Sequence, residues 1–336
     1  MRSFTEDVDV VSKSRYRWDA INTGGKCVSV TSRSQAGNDM LAFTQAELSV
    51  ARRAFARQML AITGVNNSAI AAAFAVVPRE AFLGPPPWTT ALPSTGYHIL
   101  SSSDPVVLYQ DFVVTLDPAR GVNNGSPSLH VRLLDALGPK PGEHIVHIGA
   151  GAGYYSALLA ELVGPSGRVT AVEFDAALAE RARASLSDRS NVRVVSGDGT
   201  RWPQEEADGI YVNFAAAQPA DRWIEGLAPG GRLIFPLGVP GPRQPNLGGR
   251  HSDRGAVLRI EQRSEGYAAR AITPAYFVFA EGGGLELPAD ELARLRAAFE
   301  GGGIDDVRSL VWKRSVSSGR CWFASETWAL CQDDTL

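Results

Sequence analysis

Apolar and polar positions divide the chain into stretches of different period. Residues 1 to about 39 carry polar clusters (Ser12, Ser14, Ser32, Ser34, Gly24-Gly25) and no sustained period, which predicts a disordered tail. The pattern changes abruptly at Met40, an alternative translation start on this reading. Helical spacing begins at Thr44, an N-cap with Glu47 three residues on, and predicts a helix to about Ile62. A second helix, Ser68 to Val76, is stopped by Pro78. Val77-Pro78-Arg79-Glu80-Ala81-Phe82 leads into Pro85-Pro86-Pro87-Trp88, which is not helical. Residues 89 to 125 read as loop and short strands, and a connection that long in a compact protein is often functional.

From Pro127 the two periods alternate. A helix to Leu137 precedes a buried strand at His144-Ile145-Val146-His147-Ile148. Next come a helix (Tyr154 to Val163), a strand (Val169 to Glu173), a helix (Ala176 to Leu186) and a strand (Val192 to Ser196). A strand at Gly209 to Phe214, a helix around Ala220 to Leu227 and a strand at Arg232 to Pro236 follow, with Pro229-Gly230-Gly231 as a turn into the last. This order predicts an α/β, doubly wound, Rossmann-like parallel sheet covered on both faces. A Gly/Pro/Arg loop from Gly238 to about Asp253, strands at Ala256 to Gln262, Tyr267 to Ile272 and Tyr276 to Phe279, a helix at Pro288 to Glu300 and strands at Val307 to Lys313 and Cys321 to Leu330 complete the reading.

The candidate chemistry is concentrated after the first buried strand. In Gly149-Ala150-Gly151-Ala152-Gly153, glycine at every second position permits a tight turn and leaves bare main chain for a ligand. The helix that follows offers free N–H groups. Twenty residues beyond Gly153 the next strand ends in Glu173, where a doubly wound fold grips a ribose hydroxyl pair. The spacing therefore points to a nucleoside-bearing ligand.

Composition narrows the setting. With 33 Lys and Arg against 36 Asp and Glu, a net charge of −3 gives no general pull toward nucleic acid or anionic membrane. Arg243, Arg250, Arg254 and Arg259 read as solvated loop and strand surface. No apolar run approaches the ~20 residues needed to span a bilayer, and residues 1–37 lack a signal-like apolar core. Cys27, Cys321 and Cys331 are odd in number without metal-ligand spacing, which suits a reducing compartment and, with the rest, a cytoplasmic protein.

Several motifs in one order carry a resemblance. The Val77–Phe82 run, the glycine loop, Glu173, Gly197-Asp198-Gly199, Ala215-Ala216-Ala217 and the run Pro229-Gly230-Gly231 to Gly238 together resemble the protein-L-isoaspartate O-methyltransferases, over roughly residues 44–280. The resemblance implies S-adenosyl-L-methionine as cofactor and methyl transfer to the carboxylate of an L-isoaspartyl or aspartyl residue in a protein or peptide. It implies cofactor contacts from Gly149, Ala150, Gly151 and Gly153, ribose hydroxyls on Glu173, and the adenine edge on Asp198 and Gly199. The chain is expected to divide into a tail (1–39), a helical cap with the acceptor-side loop (40–120), a Rossmann-like methyltransferase domain (121–280) and a small α+β accessory segment (281–336), where Trp312, Trp322 and Trp328 would be the core of a small accessory sheet. No metal and no nucleic-acid or membrane partner is expected. The oligomeric state is open, a monomer being the simpler expectation.

The chain departs from the family pattern at three places. The acceptor-site motif, roughly Gly-Gln-Thr-Ile-Ser-x-Pro, is here Gly121-Val122-Asn123-Asn124-Gly125-Ser126-Pro127, so Asn123 stands at the Thr position and Gly125 at the Ser position. Asn123, Asn124 and Ser126 are the candidate acceptor-site groups, the alternative for Asn-Asn-Gly being a plain turn. His147 replaces the family's usual acid and reads first as a structural, hydrogen-bonded residue. The segment beyond about residue 284 is extra. These departures keep rivals in view: the same transfer to a ribosomal peptide product or small molecule, or a non-catalytic cofactor-binding relative. A dinucleotide oxidoreductase lacks a His/Lys/Tyr constellation here.

Overall fold

Thr44 and Glu47 close a reciprocal capping box: Thr44 Oγ1 accepts from the Glu47 N–H, and Glu47 Oε2 accepts from the Thr44 N–H at 2.8 Å. The helix they start, α1 (Gln45–Thr63), ends at Gly64 in the left-handed region, and buries Leu48, Phe55, Ala56 and Met59 at helical spacing. Asn67 caps α2 (Ser68–Val76) through its side-chain oxygen. The structure, a computed structural model, describes residues 42–92, 96–243, 248–281, 283–314 and 320–334. The tail at 1–39 and the start at Met40 lie outside them.

After α3 (Glu80–Leu83), residues 89–125 form β1 (Thr89–Leu92), β2 (Gly96–Ile99), a short 3-10 turn, β3 (Thr115–Asp117) and β4 (Val122–Asn123), the expected short strands, paired as two small hairpins. Then come α4 (Pro127–Leu137), β5 (His144–Ile148), α5 (Tyr154–Val163), β6 (Arg168–Glu173), α6 (Ala176–Ser185), β7 (Val192–Ser196), β8 (Ala207–Val212), α7 (Asp221–Glu225), β9 (Leu227–Arg243), β10 (Arg250–Gln262) and β11 (Tyr267–Pro274). The chain closes with α8 (Ala289–Gly301), β12 (Ser309–Trp312), β13 (Cys321–Ala324) and β14 (Trp328–Cys331).

One ten-stranded sheet runs in the order β13-β14-β12-β11-β10-β9-β8-β5-β6-β7. The five strands from β9 to β7 pair in parallel, as the alternation predicts. The other half is antiparallel, so the sheet is mixed and not parallel throughout. β5, in the middle, is buried along its whole length, which accounts for its unbroken apolar run apart from the two histidines.

Three expectations change. Pro229-Gly230-Gly231 is not a turn before a strand: it lies within β9, where pairing to β8 jumps from Ala207–Leu227 to Gly209–Arg232 and the extra residues bulge out. The loop expected after Gly238 is instead the continuation of β9 and the start of β10. Prolines 236, 240 and 242 are tolerated there because beyond Ile234 the β8-side edge of β9 keeps only the Ala216–Leu237 bridge. Tyr276 to Phe279 is an irregular segment carrying isolated bridges to His251 and Ala215.

The C-terminal strands extend the main sheet from β11 and do not form a sheet of their own. Trp328 is fully buried there, and Trp322 packs edge-on against Phe299 of α8, ring centroids 5.0 Å apart. Cys321 and Cys331 face each other across β13 and β14 and are disulfide-bonded. The cysteine reading is corrected accordingly: two of the three cysteines pair, which the odd count concealed, and cysteine usage no longer argues for a reducing compartment.

Candidate functional site

The chain leaves β5 toward β6 and β7, then returns to β8 on the other side of β5. The carboxyl ends of β5 and β8 therefore form a topological switch point, where a doubly wound sheet opens a crevice. A cavity of about 260 Å³ occupies it. Gly149, Ala150, Gly151, Glu173, Asp198 and Gly199 line one part; Asn123, Asn124, Gly125 and Ser126 line another. Gly153 stands behind the loop as the N-cap of α5. All three loop glycines have positive φ, and a Cβ added at Gly151 would meet nothing closer than Leu116 Cδ1 at 3.5 Å. At Gly151 the backbone conformation, not crowding, is what requires glycine.

Glu173 ends β6 with its carboxylate turned back onto the loop. Oε2 accepts from the Gly151 N–H at 2.7 Å and Oε1 from the Asp175 N–H at 2.9 Å. Each oxygen keeps a further lone pair, so the group can still receive a pair of hydroxyls. Burial pushes its pKa up, and those two backbone hydrogen bonds oppose the rise. Asp198 Oδ1 accepts from the Thr200 N–H and hydroxyl at 2.9 and 2.7 Å, which sets the turn after β7, while Oδ2 lies 3.7 Å from Arg201 Nε. Gly199 gives its carbonyl to Trp223 Nε1. Bare glycine backbone, a carboxylate at the strand tip and a polar turn one strand further fit a nucleoside-bearing cofactor with an anionic tail.

On the acceptor side, the three candidates do different things. Asn123 Oδ1 takes the Gly125 N–H at 2.8 Å, an Asx turn within its own loop. Asn124 is buried: Oδ1 accepts from the Val114 N–H at 3.1 Å and from Arg79 Nη2 at 3.2 Å, while its Nδ2 has no partner among the described residues. Ser126 Oγ donates to Asp111 at 2.9 Å, away from the cofactor loop. Arg79, visible in the sequence only as part of the Val77–Phe82 run, organises this corner. Wholly buried, it donates to the carbonyls of Leu108, Gln110 and Phe112 as well as to Asn124, and burial lowers its pKa.

Two buried polar pairs back the cavity. His147 Nδ1 lies 2.8 Å from Ser156 Oγ and Nε2 lies 3.2 Å from Asn213 Nδ2, the hydrogen-bonded histidine anticipated for this position. Burial drives its pKa down to about 3, so it is a neutral support and not an acid. His130 stacks on Tyr155 with centroids 3.5 Å apart, and its Nδ1 lies 2.5 Å from the Tyr211 hydroxyl. No sequence spacing connects His130 to Tyr211, eighty-one residues apart. Asn124, Tyr154, Tyr155, Asn213 and His251 each bring to the cavity lining a buried polar atom without a partner among the described residues.

Arg120, also unforeseen, spans the rim. It pairs with Asp175, which caps α6, and with Glu281 at 2.5 Å, joining the β3–β4 hairpin to the segment after β11. These two carboxylates hold its pKa up. The arginines considered as a surface patch are in part spoken for: Arg259 pairs with Glu261 and donates to the Ala136 carbonyl, and Arg250 donates to the Gly241 carbonyl. Among the described residues no helix is long and apolar enough to cross a membrane.

Fold and site together define a doubly wound protein whose switch-point cavity fits a nucleoside-bearing ligand and continues along the polar residues 123–126. The family model described as protein-L-isoaspartate(D-aspartate) O-methyltransferase matches residues 53–261, and the chain belongs to that family. It is similar to the protein-L-isoaspartate O-methyltransferase of Aeropyrum pernix, with 46% identity over 125 residues, 36% of this chain and 48% of that one. The Ignicoccus hospitalis enzyme of the same name is 27% identical over 231 residues, covering 68% and 95%. The chain spans about half the length of the first curated relatives it matches. A solved protein-L-isoaspartate O-methyltransferase overlays with a TM-score of 0.55 at 20% identity, over 83% of this chain and 88% of that one. A putative enzyme of this kind from Plasmodium falciparum, in complex with S-adenosyl-L-homocysteine, gives 0.52 at 15% identity, over 69% and 99%. Both share the fold.

Proposed function

We propose that this chain transfers a methyl group from S-adenosyl-L-methionine to the carboxylate of an L-isoaspartyl or aspartyl residue in a protein or peptide. The observation that carries the reading is Glu173, positioned by Gly151 at the switch point of a chain whose family bears that activity in its name. Gly149, Ala150 and Gly151 would hold the cofactor's amino-acid end, with Gly153 shaping the turn behind them, Glu173 its ribose, and Asp198 with Gly199 its adenine edge. When bound, the cofactor supplies a methyl group activated on a sulfonium. A carboxylate oxygen forms the new bond to carbon as the carbon–sulfur bond breaks, and no proton has to move.

What the chain then contributes is position and dryness. The acceptor compartment is lined by neutral groups such as Asn124 and His130, which can hydrogen-bond a carboxylate without neutralising it. Asn123, Asn124 and Ser126 are the groups we place around the acceptor. Asn124 would use its unpartnered Nδ2–H, whereas Asn123 and Ser126 would have to turn from their present partners.

A second reading keeps the transfer and changes the acceptor to a ribosomal peptide product or small molecule. The altered loop favours it, with Asn123 tied to its own turn and Gly125 offering no side chain. Labelled methyl incorporation into an isoaspartyl peptide, with its normal aspartyl counterpart alongside, separates the two. Base-labile label on the isoaspartyl peptide supports the first reading. Bound cofactor without label on either peptide rejects it and turns the search to other acceptors or to a non-catalytic relative. Cell fractionation tests the cytoplasmic location that goes with this reading.

A further inference from the structure

His130 is almost wholly buried in α4, yet one of its two ring nitrogens is unaccounted for. Nδ1 lies 2.5 Å from the Tyr211 hydroxyl, and that hydroxyl has no other partner among the described residues. The single contact fixes where the protons go. If Nδ1 carried the hydrogen, the Tyr211 hydroxyl hydrogen would be buried without an acceptor, a costly arrangement. With the Tyr211 O–H donating to Nδ1, the imidazole hydrogen is on Nε2. Burial, together with His147 and Arg79 nearby, holds the ring neutral far below the ordinary histidine range.

Nε2 has no partner among the described residues, and it points to the acceptor loop. It occupies the space that a side chain on Gly125 would need: a Cβ built there collides with Nε2 and with Cδ2. Gly125 and His130 both line the cavity, with Asn124 and Ser126 beside them. Stacking on Tyr155 fixes the ring plane, and Tyr211 fixes its rotation. The result is a rigid, uncharged N–H donor held toward the compartment opposite the glycine loop. Such a donor suits an anionic oxygen that must stay nucleophilic, because it orients the group without forming a full ion pair with it.

We propose that His130 donates from Nε2 to the methyl-accepting carboxylate, and that Tyr211 is the positioning residue that keeps the hydrogen on that nitrogen. The inference rests on the carboxylate-methylation reading above. It assigns the acceptor contact to a residue of α4 that approaches through the gap left by Gly125, in addition to the loop asparagines.

The test uses the full chain, an isoaspartyl peptide and S-adenosyl-L-homocysteine. His130→Leu should lower kcat/KM for the peptide by about 10- to 100-fold, the scale of one hydrogen bond to a charged group, while calorimetric affinity for the nucleoside stays at the wild-type value. His130→Gln, which restores an N–H, should recover most of that loss, and Tyr211→Phe should lose about 3- to 10-fold as the tautomer is released. Nitrogen-15 spectra of histidine-labelled protein should show His130 protonated at Nε2, and Tyr211→Phe should disturb that signal. Three results would each overturn the proposal: wild-type activity, within about twofold, in His130→Leu; a hydrogen on Nδ1; or equal failure of His130→Leu and His130→Gln with nucleoside affinity also lost. A wild-type enzyme that methylates neither peptide would instead overturn the reading on which the proposal rests.

Discussion

Arg79 Nη2 donates to Asn124 Oδ1 at 3.2 Å, joining residues forty-five apart in sequence. The bond ties the N-terminal helical layer to the acceptor loop, since the same guanidinium also holds three carbonyls of the intervening segment. A buried cation without a directly bonded carboxylate is costly, and here it is held by four oxygen acceptors and by the Phe112 ring, whose centroid lies 5.5 Å from the guanidinium carbon. Arg79→Met should therefore destabilise the protein by roughly 3 kcal/mol or more, because four acceptors lose their donor at once. Denaturant unfolding measures this, and an unchanged midpoint would show that the segment 108–112 is anchored elsewhere.

Glu173 should govern cofactor affinity with a definite pH dependence. Its pKa is raised by burial, so protonation sets in at a higher pH than for a free glutamate. Affinity should then decline as pH falls through that raised value, because the protonated group gives up its charged acceptor. Glu173→Ala should cost about 1–3 kcal/mol of binding at pH 7 and flatten the profile. Titration calorimetry at pH 7 and pH 5 distinguishes these cases, and parallel profiles for the two proteins would count against the assignment.

Gly151→Val should abolish cofactor binding. The position has φ near +56°, a region that costs an ordinary residue roughly 1–2 kcal/mol and a β-branched one more. The loop would have to re-form, moving the N–H that Glu173 holds. Retained affinity in calorimetry would show that the loop does not contact the ligand.

Acid should destabilise the fold steeply. His147 has its pKa lowered to about 3 in the folded chain and His130 is lowered as well, against about 6.5 unfolded. Between those values the unfolded chain binds a proton that the folded chain refuses, so stability is lost as pH falls below about 6.5. His147 contributes a slope of roughly 1 kcal/mol per pH unit between about 3 and 6.5, and the lowered pKa of His130 acts with the same sign. Melting temperatures from pH 7 to pH 4.5 should fall in wild type and fall less in His147→Asn.

The readable and unreadable parts of the chain differ in the range of the forces behind them. α1 announces itself through Thr44 and Glu47, and the end of α2 through Pro78, because capping and helix breaking are settled within a few residues. Likewise the glycine loop and Glu173 follow a fixed strand-turn-helix geometry, and the cavity forms where that geometry puts it. Arg79, His130 and Arg120 are silent in the sequence because each takes its meaning from a partner about 30 to 160 residues away. β9 misleads for a related reason. Its prolines and glycines read locally as loop, whereas the β10 ladder on one side and a sparsely bonded edge on the other make them acceptable in a strand. The C-terminal strands are only partly legible: Cys321 to Leu330 reads as one strand but folds back as β13 and β14, and membership of the main sheet is decided by edges far away in sequence.

The alanine run 215–217 determines how the cavity is divided between parts of the chain. Ala215 exchanges main-chain hydrogen bonds with Val278 and Ala280, Ala216 bonds to Pro236 and Gly238, and Ala217 bonds to Leu285. One short stretch thus fastens the 276–281 wall, which includes Tyr276 and Glu281, to the parallel half of the sheet. That wall lies beyond residue 261, where the family match ends. The cavity is therefore closed from two directions: the glycine loop and residues 123–126 come from inside the matched span, and the 276–281 wall comes from outside it. Exchanging residues 275–285 with those of a relative should alter which acceptor is taken in the labelled-methyl assay while leaving calorimetric nucleoside affinity as it was, because that wall is fastened to the sheet through main-chain bonds that a change of side chains leaves in place.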